Sequence, residues 1–272
     1  MAFADNLYNT IKGLGKISLL SRPAGRLRRR VHGGRIIVMG NGPSLADTIA
    51  EHLDALTGST TMAVNFAAIS PDFFRIRPAY YVMADPHFFA DSDEGNLGTL
   101  RQRLAEVDWP MTILVPAPML RRARKLYGGL TIEGFNAVGI EGFPAVSHLA
   151  FSARLAMPRP RNVLIPSIML AIMLGYDEIV IVGADHSWMS SISVTDDNEV
   201  VSIQPHFYKD DEKETSRIRH EYRNYRLHDI VDSFAVAFRA YHHIAAYAAT
   251  RGIKIYNATP GSYIDAFPRR SL

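Results

Sequence analysis

The sequence predicts an α/β fold built on a doubly wound, mostly parallel sheet of Rossmann-like type, with a lid-like insertion. Short apolar runs rich in isoleucine and valine alternate with helical patterns along most of the chain. The runs lack a clean alternation of polar and apolar residues, which is typical of parallel strands that helices cover on both faces. At 272 residues, of which 47% are hydrophobic, the chain is long enough for one large domain of this class.

The individual elements follow from these patterns in order. Six apolar runs are predicted as strands: Arg35–Met39, Thr60–Val64, Ala79–Ala84, Met111–Val115, Glu178–Gly183 and Lys254–Tyr256. Five periodic segments are predicted as helices: Leu45–Leu56, Leu97–Val107, Met119–Leu126, Val163–Leu174 and Asp229–Arg251. Residues 116–161 contain scattered glycine and proline and are predicted as short elements and loops. Residues 187–226 form a long polar segment, which is typical of a lid, a substrate loop or disorder.

A glycine-rich turn joins the first predicted strand to the first helix, in the sequence Gly40-Asn41-Gly42-Pro43-Ser44. Such a turn presents backbone N–H groups at a strand end and predicts phosphate or nucleotide binding, although a plain tight connection is equally consistent. Leu45 stands where the dinucleotide fingerprint carries its third glycine, and no lysine follows as in a P-loop, so both motifs are excluded. Ser44 and Asp47 are predicted to form a capping box at the helix start.

Small or polar side chains follow five of the predicted strands. Besides the turn, these are Asn65, Asp85, the pair Asp185 and His186, and the segment 257–262. Because the carboxyl ends of parallel strands meet at one edge of a sheet, we expect these residues to line one polar cleft. The candidate nucleotide-binding residues are therefore Gly40, Asn41, Gly42, Pro43, Ser44, Asn65, Asp85, Asp185 and His186.

Two groups suggest chemistry beyond binding. His206 lies in an aromatic island, residues 204–208, within the polar segment, which predicts a lid that delivers a general base; an ordinary surface histidine is the alternative. His228 is a rival for the same role. Asp91 and Asp93 form a D-x-D triplet that suits either a divalent cation or a solvated loop, and we assign no metal ligand there.

The formal net charge is +3, but the basic residues are concentrated near the N-terminus. Residues 12–30 contain Lys12, Lys16, Arg22, Arg26, Arg28, Arg29 and Arg30, and no acidic residue lies between Asp5 and Asp47. Residues 1–33 are predicted as a basic N-terminal tail, either solvated and frayed or amphipathic and resting on anionic lipid or an acidic partner. Residues 34–272 are predicted as a single nucleotide-binding α/β domain. No nucleic-acid partner is expected, and a homo-oligomer is compatible with the sequence.

Cysteine content and hydropathy indicate the cellular compartment of the protein. The absence of cysteine excludes disulfides, thiolate metal sites and a cysteine nucleophile, and it fits a reducing cytoplasm. No apolar run reaches the about 18–20 residues of a membrane span. We therefore expect a cytoplasmic protein, which would be peripheral at the inner membrane face if the tail binds lipid.

Several blocks of the chain resemble known families. The segment Ile37–Leu45, together with Asn65, resembles the nucleotide-binding opening of the bacterial sialyltransferases that decorate lipooligosaccharide, and Ile172–Asp185 resembles their next helix–strand block. The same segments resemble the 6-hydroxymethylpterin diphosphokinase-like family, which includes a pterin kinase, the central domain of Maf-type flagellin glycosyltransferases and proteins of surface-polysaccharide assembly. Residues 183–188, 206–208 and 255–262 are most similar to the last of these groups.

The resemblance implies a variant of the glycosyltransferase A architecture. It also implies a transferase that moves a sialic acid-like sugar from a CMP-activated donor to a glycan or lipid-linked glycan acceptor, in bacterial cell-surface polysaccharide biosynthesis. By similarity, Asn41, Gly42, Ser44 and Asn65 would contact the donor, and Asp185 would shape its pocket.

The resemblance implies catalytic roles as well. His206 would act as the base, and Tyr208 would contact the donor phosphate, with Tyr222 or Tyr225 as a second tyrosine. No metal cofactor is implied, because a nucleoside monophosphate leaving group carries less charge than a diphosphate. The sequence departs from the sialyltransferases at residues 162–164, where Asn-Val-Leu replaces their T-S-G segment.

Two alternatives remain open at this point. The first is an ATP-dependent diphosphokinase of the pterin kinase type, which would need Mg²⁺ held by Asp85, Asp91 or Asp93. The second is a nucleotide-sugar-binding protein that uses the same cleft without catalysis.

Overall fold

A computed structural model of the chain describes residues 2–202 and 225–272, which contain a seven-stranded parallel sheet between two layers of helices. The strands of the sheet are β1 (Arg35–Met39), β2 (Thr60–Val64), β3 (Tyr80–Val82), β4 (Thr112–Pro116), β5 (Thr131–Phe135), β6 (Glu178–Val182) and β9 (Lys254–Asn257). Two further strands, β7 (Ile192–Val194) and β8 (Val200–Ser202), pair separately as an antiparallel hairpin. The predicted α/β fold class is confirmed.

The order of the strands places a topological switch point beside β1. The sheet runs β5-β4-β3-β2-β1-β6-β9, so the chain builds outward from β1 on one side and resumes on the other side with β6. All five residues of β1 pair with β6, from Arg35 opposite Glu178 to Met39 opposite Val182. Ligands of doubly wound sheets bind at the carboxyl ends of the strands near such a point.

The helices form one layer on each face of the sheet. Their bounds are α1 (Ala2–Leu20), α2 (Ser44–Thr57), α3 (Asp72–Ile76), α4 (Gly95–Ala105), α5 (Leu120–Leu126), α6 (Pro144–Ser152), α7 (Leu164–Leu174) and α8 (Leu227–Thr250). Helices α2 to α5 pack with Ile37 on one face, and α6 to α8 pack with Ile36 and Val38 on the other. Helix α7 is buried along its whole length, which explains its continuous apolar composition.

Membrane-spanning helices are not found in the part of the chain that the structure covers. None of the helices there combines the length with the apolar composition that crossing a bilayer requires.

The predicted strands and helices are all present, with ends that either match the prediction or are shifted by one or two residues. The prediction of short elements and loops for residues 116–161 missed strand β5, whose sequence is interrupted by Glu133 and Gly134. Packing requires that glycine, because a Cβ atom at Gly134 would lie 2.7 Å from the carbonyl oxygen of Ala24. The residue that weakens the strand pattern is therefore the one that lets the strand fit.

Residues at the start of the predicted tail form helix α1, so the frayed alternative is wrong for them. The helix is fixed to the rest of the protein, since the backbone N–H of Phe143 donates to Thr10 Oγ1 at 2.9 Å. Just beyond the helix, the Ser21 hydroxyl donates to the carbonyl of Leu155 at 2.6 Å. The domain boundary at residue 33 stays a prediction.

Candidate functional site

A cavity of about 620 Å³ lies at the carboxyl edge of the sheet, at the switch point between β1 and β6. Its volume suits a ligand of nucleotide size. The residues that follow four neighbouring strands contribute to its wall, and so does the start of α7. Seven of the predicted nucleotide-binding residues line it: Asn41, Gly42, Pro43, Asn65, Asp85, Asp185 and His186.

The other two predicted residues, Gly40 and Ser44, lie behind the wall of the cavity. Gly40 is buried, and its N–H donates to the carbonyl of Val182 at 2.8 Å. Ser44 donates its hydroxyl to Asp185 Oδ2 at 2.8 Å, and its backbone N–H lies 3.3 Å from Asp185 Oδ1. Gly40 therefore contacts the last residue of β6, and Ser44 contacts the segment after β6, rather than the cavity.

The N–H groups of the turn are largely occupied by the protein itself. The N–H of Gly42 donates to the carbonyl of Gly183 at 2.8 Å, in addition to the bonds of Gly40 and Ser44. The Asp185 carboxylate thus lies at the start of α2, where the unpaired N–H groups and the positive end of the helix dipole attract an anion. The protein places its own anion at the position where the sequence predicts a phosphate.

The same contact replaces the predicted capping box. Helix α2 begins at Ser44 with Pro43 as its preceding residue, and no side chain caps it through Asp47. The Ser44 hydroxyl instead bonds Asp185, which lies 141 residues further along the chain. The capping-box prediction is wrong because a long-range carboxylate takes the place of the local one.

The glycines of the turn are explained by the same packing. A Cβ atom at Gly42 would lie 1.9 Å from Asp185 Oδ2, and one at Gly40 would lie 2.3 Å from the carbonyl oxygen of Gly183. Real Cβ atoms do not approach other atoms so closely, so the turn can press against the segment after β6 only if both residues are glycine.

Asn41 and Asn65 present acceptors that have no partner among the described residues. Asn41 uses its amide nitrogen to donate to the carbonyl of Val64 at 3.1 Å. Asn65 has a left-handed backbone with φ of 51°, and its carbonyl accepts from the Tyr81 hydroxyl. The Oδ1 atoms of both side chains are buried and accept no hydrogen bond from any described residue. A buried acceptor without a donor is costly, so a ligand that donates to these atoms would be stabilised.

His186 forms the opposite wall together with Tyr241 and Asn162. The Tyr241 hydroxyl donates to Asn162 Oδ1 at 3.0 Å and lies 2.6 Å from His186 Nε2. Asn162 Nδ2 lies 3.5 Å from the same imidazole nitrogen, and the tautomer of His186 sets which group donates in this network. Burial lowers the pKa of His186 to about 3. The imidazole is therefore neutral near pH 7, and it packs between Tyr241 and Trp188 in this wall.

Asn162, which in the sequence is only a departure from a family pattern, lies on the cavity wall. Asn162 Oδ1 accepts from the N–H groups of Leu164 and Ile165 and so caps the start of α7. Arg161 beside it also lines the cavity and is the one arginine or lysine among the described lining residues. Neither residue carries a local sequence signal, because both reach the cavity through the placement of α7.

Trp188 completes this wall. Its ring centroid lies 4.0 Å from that of His186, with 33° between the planes. A second contact joins Trp188 to Phe234 on α8, with centroids 5.2 Å apart. The indole thereby ties the segment after β6 to α8 at the edge of the cavity.

Several other predicted residues lie elsewhere. His206, Tyr208 and Tyr222 fall outside the described residues. Tyr225 and His228 are exposed near the start of α8 and do not line the cavity, and His228 Nε2 lies 3.4 Å from Asp229. Residues 187–202 of the predicted lid include the β7–β8 hairpin, and the lid role itself stays a prediction.

The D-x-D triplet is engaged in ion pairs. Asp91 lies 2.6 Å from Arg122, and Asp93 pairs with Arg101. Both carboxylates are strongly exposed. Across residues 2–202 and 225–272, no cluster of three or more histidine, aspartate or glutamate side chains has an arrangement that suits a metal ion.

Comparison with known proteins gives a likeness in structure. No protein-family profile and no curated protein matches the chain. The fold is similar to that of the Maf glycosyltransferase from Magnetospirillum magneticum AMB-1, with a TM-score of 0.52 and 11% sequence identity. The match covers 94% of this chain but 38% of the longer protein. At this identity the likeness establishes the fold alone.

Proposed function

We propose that the protein is a glycosyltransferase that moves a sialic acid-like sugar from a CMP-activated donor to a glycan acceptor in cell-surface polysaccharide biosynthesis. The observation that carries the proposal is the pair of bare acceptors, Asn41 Oδ1 and Asn65 Oδ1, in a cavity of about 620 Å³ at the switch point of the sheet. The likeness to a glycosyltransferase fold supports the reaction class, and the resemblance to sialyltransferases in sequence supports the donor.

The distribution of polar groups suits a nucleotide that carries an amino group. The exocyclic amine of cytosine has two N–H donors, and we propose that the two asparagine oxygens accept them once their side chains turn towards the cavity. The α2 helix start already holds Asp185, so we place the donor phosphate near Arg161 instead. An arginine binds a phosphate through two parallel hydrogen bonds and stabilises the charge that develops on the leaving group.

The chemical step is a direct displacement at the anomeric carbon. The acceptor hydroxyl forms a new C–O bond there, and the bond from that carbon to the phosphate oxygen breaks with its electrons passing to the departing CMP. We assign the removal of the hydroxyl proton to His206 and a contact with the donor phosphate to Tyr208, both on sequence grounds, since they lie outside the described residues. The acceptor is a glycan or a lipid-linked glycan.

The experiment is a turnover assay on the full chain. We expect CMP release and sugar transfer from at least one of a panel of CMP-activated sugars, with no loss of rate when a chelator is added. A second assay supplies ATP, Mg²⁺ and a pterin acceptor. If the protein transfers diphosphate in that assay and a chelator stops the reaction, the protein is a diphosphokinase and our proposal is wrong. The ion pairs of Asp91 and Asp93 argue against that outcome.

A variant distinguishes catalysis from binding alone. We expect His206→Ala to abolish most transfer while CMP affinity is retained, and the matched control His52→Ala, at an exposed position on α2, to leave the rate unchanged. A chain that binds CMP-sugars but turns none of them over would instead be a nucleotide-sugar-binding protein.

A further inference from the structure

Helix α1 turns an apolar face to solvent. Phe3, Leu7, Ile11 and Leu14 are all exposed, with Phe3 at 71% and Ile11 at 61% of their full areas. Their spacing of four, four and three residues places them on one stripe of the helix. We call these four residues the α1 apolar face.

The side of α1 next to this stripe holds the helix to the protein through small and polar residues. Thr10 is buried, and a Cβ atom at Gly13 would lie 2.4 Å from the side chain of Ile140. Gly142 approaches equally closely, since a Cβ atom there would lie 2.2 Å from Thr10 Oγ1. The usual arrangement of a surface helix is reversed, because the apolar stripe is the side left uncovered.

The helix and the chain that follows it are strongly basic. Lys12 on the helix and Arg22, Arg26 and Arg28 beyond it are exposed. None of the four forms an ion pair with a described residue. Together with Lys12, we call these arginines the basic segment.

We propose that the α1 apolar face and the basic segment bind the surface of an anionic phospholipid membrane. A helix of this kind lies in the plane of the interface, with its apolar side chains among the acyl chains and its cations at the headgroups. A second copy of the chain fits less well as the occupant, because pairing of two α1 faces would bring two basic segments together. This inference is independent of the donor and of the reaction at the cavity.

The test is sedimentation of the full chain with lipid vesicles. We expect binding to vesicles of phosphatidylcholine mixed with phosphatidylglycerol, little binding to phosphatidylcholine alone, and release on addition of salt. The variant Ile11→Gln should weaken binding about tenfold because it removes an inserted apolar side chain. The variants Arg26→Gln and Arg28→Gln should each weaken it about fivefold.

Matched controls separate these contacts from general effects. Val194→Gln replaces another exposed aliphatic side chain on the β7–β8 hairpin, and Lys254→Gln replaces an exposed cation on β9, at the sheet edge opposite β5. Both should bind vesicles like the unaltered chain. All test positions are exposed, so thermal melting should be unchanged in every variant.

Three outcomes would overturn the proposal. The first is no binding to the anionic vesicles, and the second is equal binding by Ile11→Gln and Val194→Gln. The third is a dimer in analytical ultracentrifugation that Ile11→Gln dissociates without lipid present, since a second copy would then be the occupant. Turnover of CMP-sugars in solution is measured separately, so failure here leaves the transferase proposal untouched.

Discussion

Asn65 and His186 lie on opposite walls of the cavity and share one backbone conformation, but their side chains differ in hydrogen bonding. Each follows a strand and has a left-handed backbone, with φ of 51° and 52°. The polar atom of His186 is bonded to Tyr241, while the amide oxygen of Asn65 is buried without a partner. A strained backbone next to a ligand cavity is therefore not by itself a sign of a binding residue. A wall whose polar atoms already have hydrogen-bond partners supports the fold, and we call the His186 side the supporting wall. A wall whose polar atoms lack partners among the described residues can bind a ligand, and we call the Asn65 side the receptive wall.

The largest expected effect concerns the contact between Gly42 and Asp185, which connects the two walls of the cavity. Gly42→Ala would place a Cβ atom 1.9 Å from Asp185 Oδ2, and the backbone of Gly183 at 2.9 Å leaves it no room to move. We expect the free energy of unfolding to fall by about 3 kcal/mol in urea titration. The matched control is Gly129→Ala, where nothing lies within 4 Å of the added atom, and its effect should stay within about 0.5 kcal/mol. Equal effects of the two variants would contradict the packing of the turn against Asp185.

The second prediction tests the supporting wall. Tyr241→Phe removes the hydroxyl that bonds both His186 and Asn162, and it takes away the shortest hydrogen bond of the buried imidazole. We expect a loss of roughly 2 kcal/mol in the free energy of unfolding. Tyr263→Phe is the control, because Tyr263 is exposed and should change stability little. A neutral Tyr241→Phe would mean that the network does not hold this wall.

The third prediction uses pH on the same wall. Burial holds the pKa of His186 at about 3, below its ordinary value of 6.5. Between these values the unfolded chain binds a proton that the folded chain does not, so stability is full above about pH 6.5 and is lost as the pH falls towards 3. The slope from this one group is about 1.4 kcal/mol per pH unit.

Comparison with His186→Asn isolates that slope. Asparagine tolerates a left-handed backbone and does not titrate, so the variant should lose stability less steeply with falling pH than the unaltered chain. His52→Asn, at an exposed position, should keep the full slope. Parallel pH profiles for the unaltered chain and His186→Asn would contradict a neutral, buried imidazole.

The sequence was sufficient to predict the helices and strands, but it was not sufficient to predict the contacts between them. Strands β1 and β2 match their predicted bounds residue for residue, because a strand covered on both faces is specified by its own apolar run. The residues gathered at the sheet edge were also predictable, since parallel strands end together. Each of these inferences needs only local pattern and the fold class.

Predicting the hydrogen-bond partners of those residues requires the strand order, which no local sequence pattern encodes. Ser44 was paired with Asp47 in prediction, whereas the neighbouring position of β6 brings Asp185 to it. The place of Asn162 on the supporting wall likewise depends on how α7 packs behind β1. Local pattern and fold class therefore predict which residues gather at this edge of the sheet, but not which of their polar groups already have hydrogen-bond partners.

The smallest expected effect tests the receptive wall directly. Asn65→Gly removes the bare Oδ1 acceptor, while glycine adopts the left-handed backbone at least as readily as asparagine does. We expect the free energy of unfolding to be nearly unchanged and the affinity for CMP, measured by calorimetry, to fall about fivefold, which is the loss of one hydrogen bond of about 1 kcal/mol. The matched control is Asn198→Gly, because Asn198 also has a left-handed backbone, with φ of 61°, but is exposed on the β7–β8 hairpin. If Asn65→Gly destabilises the fold yet leaves CMP affinity intact, then the Asn65 wall is a support like the wall of His186, and the contrast between them disappears.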